Sequence, residues 1–223
     1  MDTIYRGRLE SPGGRARAWI DCLFIDHGIL RLLWTNFATV APGRLYRSNH
    51  PLPVNLRAAA RRHGIRTLIN LRGRCENGSD ALSREAAAQL GLALHDMALE
   101  SRGAPHKDRV LRLAEIYRTM QAPALVHCKS GADRAGLAAG IFLLGEGASA
   151  AQALDQLSLR YGHVRQARTG ILDAFFLRYR NEAEGRKPFL DWVRDEYDET
   201  ALRRDFRAHG LADFLVDRVM ARE

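Results

Sequence analysis

The sequence predicts an α/β domain with a central, mostly parallel sheet flanked by helices, and with extra helices at both termini. Two observations support this prediction. Short, nearly continuous apolar runs, TLINL at 67–71 and ALVH at 124–127, are typical of buried strands. Helical patterns lie between the strands, and several of them end at a glycine. Strands that alternate with helices favour a parallel sheet covered on both faces.

The elements follow in chain order. Trp19–Trp34 is apolar with interspersed charges, which is typical of one amphipathic helix or two short ones that either cross the core or lie on a membrane surface. The predicted strands are 44–48, 67–71, 92–98 and 124–127, and the predicted helices are 55–63, 80–90, 105–120, 135–144, 149–161 and 169–182.

Residues 187–223 have a charged helical pattern, which indicates either an extension packed on the domain or a partner-binding arm. We therefore expect an N-terminal tail and amphipathic helix at 1–35, a main domain at 36–184 and a C-terminal helical extension at 185–223. A length of 223 residues is sufficient for one domain with such extensions.

Composition excludes several classes of protein. A hydrophobic fraction of 46% is ordinary for a folded chain. Cys22, Cys75 and Cys128 match no zinc spacing, the histidines form no ligand pattern, and His163 is expected to pack or cap, so we expect neither a metal nor a cofactor. Free thiols, together with an N-terminus that lacks a secretory pattern, predict a cytoplasmic protein. No apolar stretch reaches the ~20 residues that span a bilayer.

The charge of the chain predicts an anionic partner without identifying it. The net charge is +8, and 31 of the 34 basic residues are arginine, a skew that a GC-rich genome also produces. Nucleic acid, a membrane surface and a phosphorylated substrate are the candidates. No nucleic-acid motif is present, so we expect no nucleic-acid partner and leave the other two open, including peripheral contact with an anionic membrane.

The segment HCKSGADR places a cysteine and an arginine six positions apart, between a short buried strand and a helix. Gly131 allows the loop a positive φ. A loop in this position directs successive backbone N–H groups, and the positive end of the helix, at one point that suits a tetrahedral oxyanion. The residues expected to line this substrate site are His127, Lys129, Ser130, Gly131, Ala132, Ala135 and Gly136.

The same surroundings favour a thiolate at Cys128. Backbone donors, the helix N-terminus and Arg134, with His127 as a further candidate, lower a thiol pKa from its usual value of about 8.5. Arg134 can hold two phosphate oxygens and stabilise charge in the transition state. A nucleophile and an anion site therefore coincide.

HCKSGADRAG resembles the signature loop of the cysteine-dependent protein tyrosine and dual-specificity phosphatase superfamily. NFATVAPGRLYRSNHP at 36–51 and TLINLRG at 67–73 are similar to segments of the atypical plant and fungal type and its bacterial relatives, so the resemblance covers residues 36–182. It implies a two-step, metal-free reaction. Cys128 attacks a phosphomonoester to form a phosphocysteine, a general acid protonates the leaving oxygen, and water hydrolyses the intermediate.

The resemblance implies a general acid in a loop upstream of the cysteine and leaves three candidates. Glu100 lies in the ESRGAP loop, where that acid is expected, and Asp96 lies in the preceding predicted strand. Asp133 directly precedes Arg134, and with Lys129 it is also similar to the loops of inositol-polyphosphate phosphatases and myotubularins. Ala135 stands where many members of the superfamily carry Ser or Thr, which predicts slower hydrolysis of the phosphocysteine.

Three functions remain open from the sequence. The first is a phosphatase for phosphotyrosine or other phosphoproteins. The second keeps the chemistry and acts on an inositol phosphate, a phosphoinositide or a lipid-linked phosphate, as Lys129 and the basic charge suggest. The third is a non-catalytic phosphate-binding module, which the presence of both Cys128 and Arg134 disfavours.

Overall fold

The computed structural model describes residues 3–207 and confirms the α/β class. Its sheet has five strands in the order β1-β2-β5-β3-β4. All neighbours pair in parallel except β1, which pairs antiparallel with β2 at the edge and was absent from the sequence prediction. The strands are β1 (Ala38–Ala41), β2 (Leu45–Ser48), β3 (Thr67–Asn70), β4 (Ala93–Asp96) and β5 (Ala124–His127).

Helices cover both faces of this sheet. A π-helical turn, Asp21–Ile25, continues the first helix, and short 3₁₀ turns lie at Leu159–Tyr161 and Arg168–Gly170. The α-helices are α1 (Pro12–Ile20), α2 (Leu30–Leu33), α3 (Pro53–His63), α4 (Gly78–Gln89), α5 (Lys107–Thr119), α6 (Asp133–Gly145), α7 (Ala150–Asp155), α8 (Ile171–Glu182), α9 (Phe189–Asp195) and α10, which begins at 199 and reaches 207, where the described residues end.

The two faces of the sheet have separate cores because successive strand residues point to opposite sides. Leu68 and Leu125 pack with α3 and α4 on one face. Ile69 and Val126 pack with α5, α6 and α8 on the other. The central strand β5 is buried along its whole length. The residue that follows it, Cys128, therefore lies at the middle of the carboxyl edge of the sheet.

The predicted helix at 149–161 is wrong in its second half. Ser149 does cap α7, in a reciprocal capping box with Gln152, but the helix ends at Asp155. The carbonyl oxygen of Gln156 accepts a hydrogen bond of 2.7 Å from the Arg47 guanidinium, so this part of the chain is held by a side chain from β2. A tertiary contact ends the helix where the sequence pattern continues.

The N-terminal segment contains the two short helices that the sequence left as one alternative, but helical structure starts earlier, at Pro12. Ser11 caps α1 by accepting from the Gly14 N–H. His27 has a φ of +57° and separates the π-helical turn from α2. No helix among residues 3–207 is long and apolar enough to cross a bilayer.

The start of the C-terminal extension packs into the larger core. Trp192 is fully buried, and Phe189 and Tyr197 belong to the same cluster as Phe175 of α8. The Tyr197 hydroxyl donates to the carbonyl of Pro105, at 2.7 Å. Residues 189–202 thus share the core of the main domain, whereas the pattern ADFLVDRVM lies outside the described residues. The division at 35 and 184 stays a prediction.

Candidate active site

The loop after β5 is turned so that its carbonyl groups face the scaffold. The four successive carbonyl oxygens of 129–132 all accept hydrogen bonds from outside the loop. The backbone N–H of His50 donates to the first (3.3 Å), the Asn36 amide to the second (3.0 Å), and the Arg47 guanidinium to the third and fourth (2.7 and 3.0 Å). Because a peptide plane has its N–H opposite its C=O, this arrangement turns N–H groups of the loop away from the scaffold. The Gly131 N–H donates to the Cys128 sulfur, and the Ala132 N–H donates to the Ser130 hydroxyl.

Gly131 meets two requirements of this loop. Its φ is +77°, in the positive region that the sequence analysis expected a glycine here to allow. A Cβ atom here would lie 2.6 Å from the Asn49 nitrogen and 2.8 Å from the Ser48 carbonyl carbon, so the loop could not approach β2 as closely. Glycine is therefore required both for the backbone conformation and for the packing of the loop.

Arg47 and Asn36 hold the loop, and the sequence analysis assigned neither of them a role. Arg47 is fully buried, and its guanidinium lies 3.9 Å from the centre of the Tyr161 ring. Asn36, at a φ of +49°, also donates to the Tyr161 carbonyl at 2.9 Å. Burial lowers the pKa of Arg47 to about 10, which leaves it charged at neutral pH. A charged arginine inside β2 is the one signal in the sequence that points to this role.

The thiol of Cys128 is buried at the bottom of the loop and accepts from the Gly131 N–H at 3.2 Å. Helix α6 begins at Asp133, directly after the loop, so its positive end lies at the edge of the sheet where β5 ends. The Arg134 side chain leaves the first turn of α6 and donates to the Leu71 carbonyl at 3.4 Å, which holds the guanidinium at the same edge of the sheet.

His127 does not add positive charge to the thiolate, contrary to the expectation that it is a further candidate. Burial, reinforced by neighbouring arginines, lowers the pKa of His127 to about 3, so its ring is neutral. The ring packs edge-on against His50, with centroids 4.7 Å apart. The contribution of His127 is therefore packing beneath the loop.

Near the start of the loop, the Asp26 carboxylate is paired with three cations. Its carboxylate lies 2.5 Å from Arg31, 2.8 Å from Arg72 and 3.2 Å from the Lys129 ammonium group. Although burial opposes ionisation, Arg72 and Arg31 hold the pKa of Asp26 well below its usual range. The N-terminal segment is thus joined to the active-site loop through Lys129, a link that the sequence analysis missed.

At the end of the loop, the Asp133 carboxylate is bonded to a buried histidine. His163 lies 2.7 Å from the Asp133 carboxylate through Nδ1 and 2.7 Å from the Asp173 carboxylate through Nε2. Burial lowers the pKa of His163, but the two carboxylates outweigh this effect and raise it to about 9. The charged imidazolium joins α6 to α8, and the Asp133 side chain faces this partner.

The two upstream acids lie at the same edge of the sheet as Cys128. Asp96 ends β4 and accepts from Arg84 at 2.6 Å and from Asn70 at 3.2 Å. Glu100 lies in the loop between β4 and α5 and is paired with Arg109.

The loop that carries Glu100 and the side chain of Arg134 are bonded to the same carbonyl group. The Leu71 carbonyl accepts from the N–H of Leu99, next to Glu100, and from Arg134. The structure therefore brings the backbone beside Glu100 to the Arg134 guanidinium.

The remaining predicted residues divide into loop and packing positions. Ser130 is exposed at the mouth of the loop, and its hydroxyl accepts from the Ala132 N–H at 3.3 Å. Ala135 is fully buried in the larger core. A Cβ at Gly136 would lie 2.5 Å from the Gln156 carbonyl oxygen, so this glycine allows α6 to pack against the end of α7. Within residues 3–207 no group of His, Cys, Asp or Glu side chains is arranged to hold a metal.

The geometry agrees with a family match. The family model described as "DSP-PTPase phosphatase fused to NAD+ Kinase" matches residues 58–170, just over half of the chain. The chain belongs to this phosphatase family. It is accordingly a cysteine-dependent phosphatase, a hydrolase of the dual-specificity type. None of the curated proteins compared with the chain matches it.

Solved structures of other phosphatases share the fold. TpbA from P. aeruginosa is 20% identical over 72% of this chain and 89% of its own, with a TM-score of 0.53. The catalytic core of the PP-IP phosphatase Siw14 from S. cerevisiae is 18% identical over 64% and 86%, with a TM-score of 0.52. PTPMT1 is 14% identical over 67% and 99%, with a TM-score of 0.50. At these identities, the similarity between this chain and the three solved structures concerns the fold alone.

Proposed function

We propose that this phosphatase hydrolyses phosphomonoesters through a phosphocysteine on Cys128, with Arg134 holding the phosphate. The observation that carries the proposal is the orientation of the loop, in which the carbonyls of 129–132 are bonded to the scaffold and the Gly131 N–H bonds the sulfur. A site with a buried thiol, a backbone N–H bonded to its sulfur and a helix N-terminus stabilises both a thiolate and a phosphoryl group.

In the first step, the Cys128 sulfur forms a bond to phosphorus while the bond to the leaving oxygen breaks. A carboxylic acid gives its proton to that oxygen. In the second step, water bonds to phosphorus, its proton returns to the carboxylate, and the S–P bond breaks to release inorganic phosphate and the thiolate. Arg134 and the loop N–H groups bind the equatorial oxygens throughout, so no metal is needed for charge stabilisation.

Glu100 is our choice for the general acid. Asp96 accepts from both Arg84 and Asn70, and Arg84 also donates to Asp80, so the Asp96 carboxylate is held within a network of partners. Glu100, whose side chain is 14% exposed, accepts from the His106 N–H at 3.4 Å, but its charged partner Arg109 is 45% exposed, and a pair with so exposed a cation is weak. The backbone of the Glu100 loop also reaches Arg134 through Leu71. Asp133 is excluded from this role in our proposal because it serves His163.

For the substrate, we propose a phosphotyrosyl or other phosphorylated protein, with an inositol phosphate, phosphoinositide or lipid-linked phosphate as the alternative. A structure of TpbA with pTyr and the description of Siw14 as a PP-IP phosphatase illustrate both classes among similar folds. The alternative is favoured by Lys129, whose side chain stays 30% exposed beside the loop. We further propose a reducing compartment such as the cytoplasm, which suits the three free cysteines.

The reaction is tested with the full chain and p-nitrophenyl phosphate. We expect Cys128→Ser to lose turnover to the detection limit, and a rapid acid quench of the wild type to yield a phosphorylated peptide containing Cys128 by mass spectrometry. Cys75→Ser, a change of the same kind at a half-buried thiol, is the matched control and should keep its turnover. Turnover in Cys128→Ser equal to that of the control would overturn the proposal.

The general acid is tested by a matched pair of variants. Glu100→Gln should lower kcat for alkyl phosphates by about 10²-fold or more, since proton transfer contributes about 10²–10⁴-fold. Its effect on p-nitrophenyl phosphate should be smaller, because that leaving group needs little protonation. Asp96→Asn serves as the comparison. If Asp96→Asn shows the larger, leaving-group-dependent loss, the acid is Asp96.

A further inference from the structure

The N-terminal segment between residues 20 and 34 has an inverted distribution of polarity. Its charged side chains Asp21, Asp26 and Arg31 are buried. Its exposed side chains are apolar apart from His27, and Leu33 and Phe24 reach 91% and 61% exposure. The residues that form this surface, here called the apolar patch, are Ile20, Phe24, Ile25, Ile29, Leu30, Leu32, Leu33 and Trp34.

The inward bonds of the charged residues fix the apolar patch in this orientation. Asp21 accepts from the Gly78 N–H at 2.6 Å and thereby caps α4. Asp26 and Arg31 bond each other, and Asp26 also bonds Arg72 and Lys129. Turning the apolar patch inward would place these buried ionic groups in water and break the link to the active-site loop. The exposed apolar surface is therefore a built feature of the fold.

A cluster of eight exposed apolar side chains within fifteen residues indicates a site of interaction, because soluble proteins rarely display large contiguous apolar patches without a partner. Eight of the twelve large apolar side chains that are exposed among the described residues belong to it. Two of the remaining four, Leu159 and Val164, adjoin it, since the Trp34 ring lies against Gly162 between them. The surface thus extends from α1 to the segment after α7.

Exposed arginines lie at both ends of the apolar patch. Arg17 is one helical turn before Ile20 on α1. Arg160 and Arg165 flank Gly162, where Trp34 packs. Arginine bordering aliphatic and aromatic side chains is the pattern of a surface that enters the headgroup region of an anionic bilayer. A chain with a net charge of +8 is also attracted to such a surface as a whole.

We propose that the apolar patch docks this phosphatase on an anionic lipid bilayer, with Arg17, Arg160 and Arg165 contacting lipid phosphates. The docking itself needs only the surface. Its consequence for catalysis rests on the function proposed above: through Asp26 and Lys129, docking holds the mouth of the active-site loop beside the headgroups.

Vesicle sedimentation of the full chain tests this proposal. We expect binding to vesicles of phosphatidylglycerol mixed with phosphatidylcholine, and little binding to phosphatidylcholine alone. Phe24→Ser with Leu33→Ser should weaken binding by about tenfold or more, because two apolar side chains no longer enter the interface. Arg160→Gln with Arg165→Gln should weaken it and reduce its salt dependence. Arg112→Gln, an exposed arginine on α5 beneath the opposite face of the sheet, is the matched control.

Turnover of soluble p-nitrophenyl phosphate separates this proposal from the catalytic one. The variant with both serines, at Phe24 and Leu33, should keep this turnover, so a loss of vesicle binding with intact turnover supports docking. If the wild type binds vesicles but has no turnover, docking stands and the proposed reaction is refuted. Equal binding to neutral and anionic vesicles, or binding unaffected by the two serines, would overturn the proposal. So would concentration-dependent dimerisation that the serines abolish in a chain that binds no vesicles, since the partner would then be a second copy.

Discussion

Two buried ionic clusters bind the start and the end of the active-site loop, at Lys129 and at Asp133, and they are built in opposite ways. Around Asp26, one carboxylate is shared by cations, with Arg31 and Arg72 the most buried of them. Around His163, one cation is shared by the carboxylates of Asp133 and Asp173. The first holds the loop to the N-terminal segment, and the second holds the start of α6 to α8. The same loop is thus anchored by groups of opposite charge.

The difference predicts opposite responses to pH. The pKa of Asp26 is depressed in the folded state, so its stabilisation is present above the usual pKa of an aspartate and is lost as the pH falls. The pKa of His163 is raised to about 9, so its stabilisation is present below the usual histidine value of about 6.5 and is lost as the pH rises through 9. The stabilisation from the Asp26 cluster is therefore lost in acid, and that from the His163 cluster is lost in alkali.

The largest effect is expected when the shared carboxylate is removed. Asp26→Asn leaves Arg31 and Arg72 buried without a counter-charge, which should lower the free energy of unfolding by about 3–5 kcal/mol in a denaturant titration at pH 7. Glu85→Gln, which removes the exposed pair with Arg15, is the control and should leave the midpoint close to the wild type. A loss no larger than that of the control would show that the Asp26 cluster does not anchor the loop.

A somewhat smaller effect is expected at the second cluster. Between pH 6.5 and 9, deprotonation of His163 should reduce the free energy of unfolding of the wild type by an amount on the order of 3 kcal/mol. This is the free energy that corresponds to the rise of the pKa from about 6.5 to about 9. The measurement is the unfolding midpoint at a series of pH values. His163→Gln should lower stability at neutral pH and remove this alkaline slope, whereas His106→Gln, at a partly exposed histidine, should keep it. An unchanged slope in His163→Gln contradicts the assignment.

The smallest effect is expected from Lys129, the partly exposed cation of the Asp26 cluster. Lys129→Met should cost less than about 1 kcal/mol, because Asp26 keeps both arginines. The same variant separates the two substrate classes. If Lys129 contacts a second phosphate, KM for an inositol polyphosphate should rise while KM for a phosphotyrosyl peptide stays near its wild-type value; equal changes would argue against the inositol alternative.

Local patterns were sufficient for most of the fold. β3, β5, α3 and α6 lie within a few residues of their predicted bounds because their apolar periodicity and their terminating glycines are properties of contiguous sequence. Edge strand β1 was missed, since its four residues are partly exposed and carry no buried run. The overlong helix after Ser149 was an error for the opposite reason: the local pattern was helical, and Arg47 ended it from a distant strand.

The residues of the candidate site likewise divide into those that the local sequence identifies and those that only the tertiary structure identifies. The sequence by itself determined the contiguous chemistry, because the thiol, the glycine and the arginine lie within one stretch of chain, between a predicted strand and a predicted helix. It could not select Arg47 among 31 arginines, nor Asn36, Asp26 and His163, since their roles depend on contacts between segments far apart in the chain. Only the tertiary structure decided that Asp133 faces His163, that His127 is neutral, and that the N-terminal segment turns its charges inward, because burial and pairing are set by what the fold brings together.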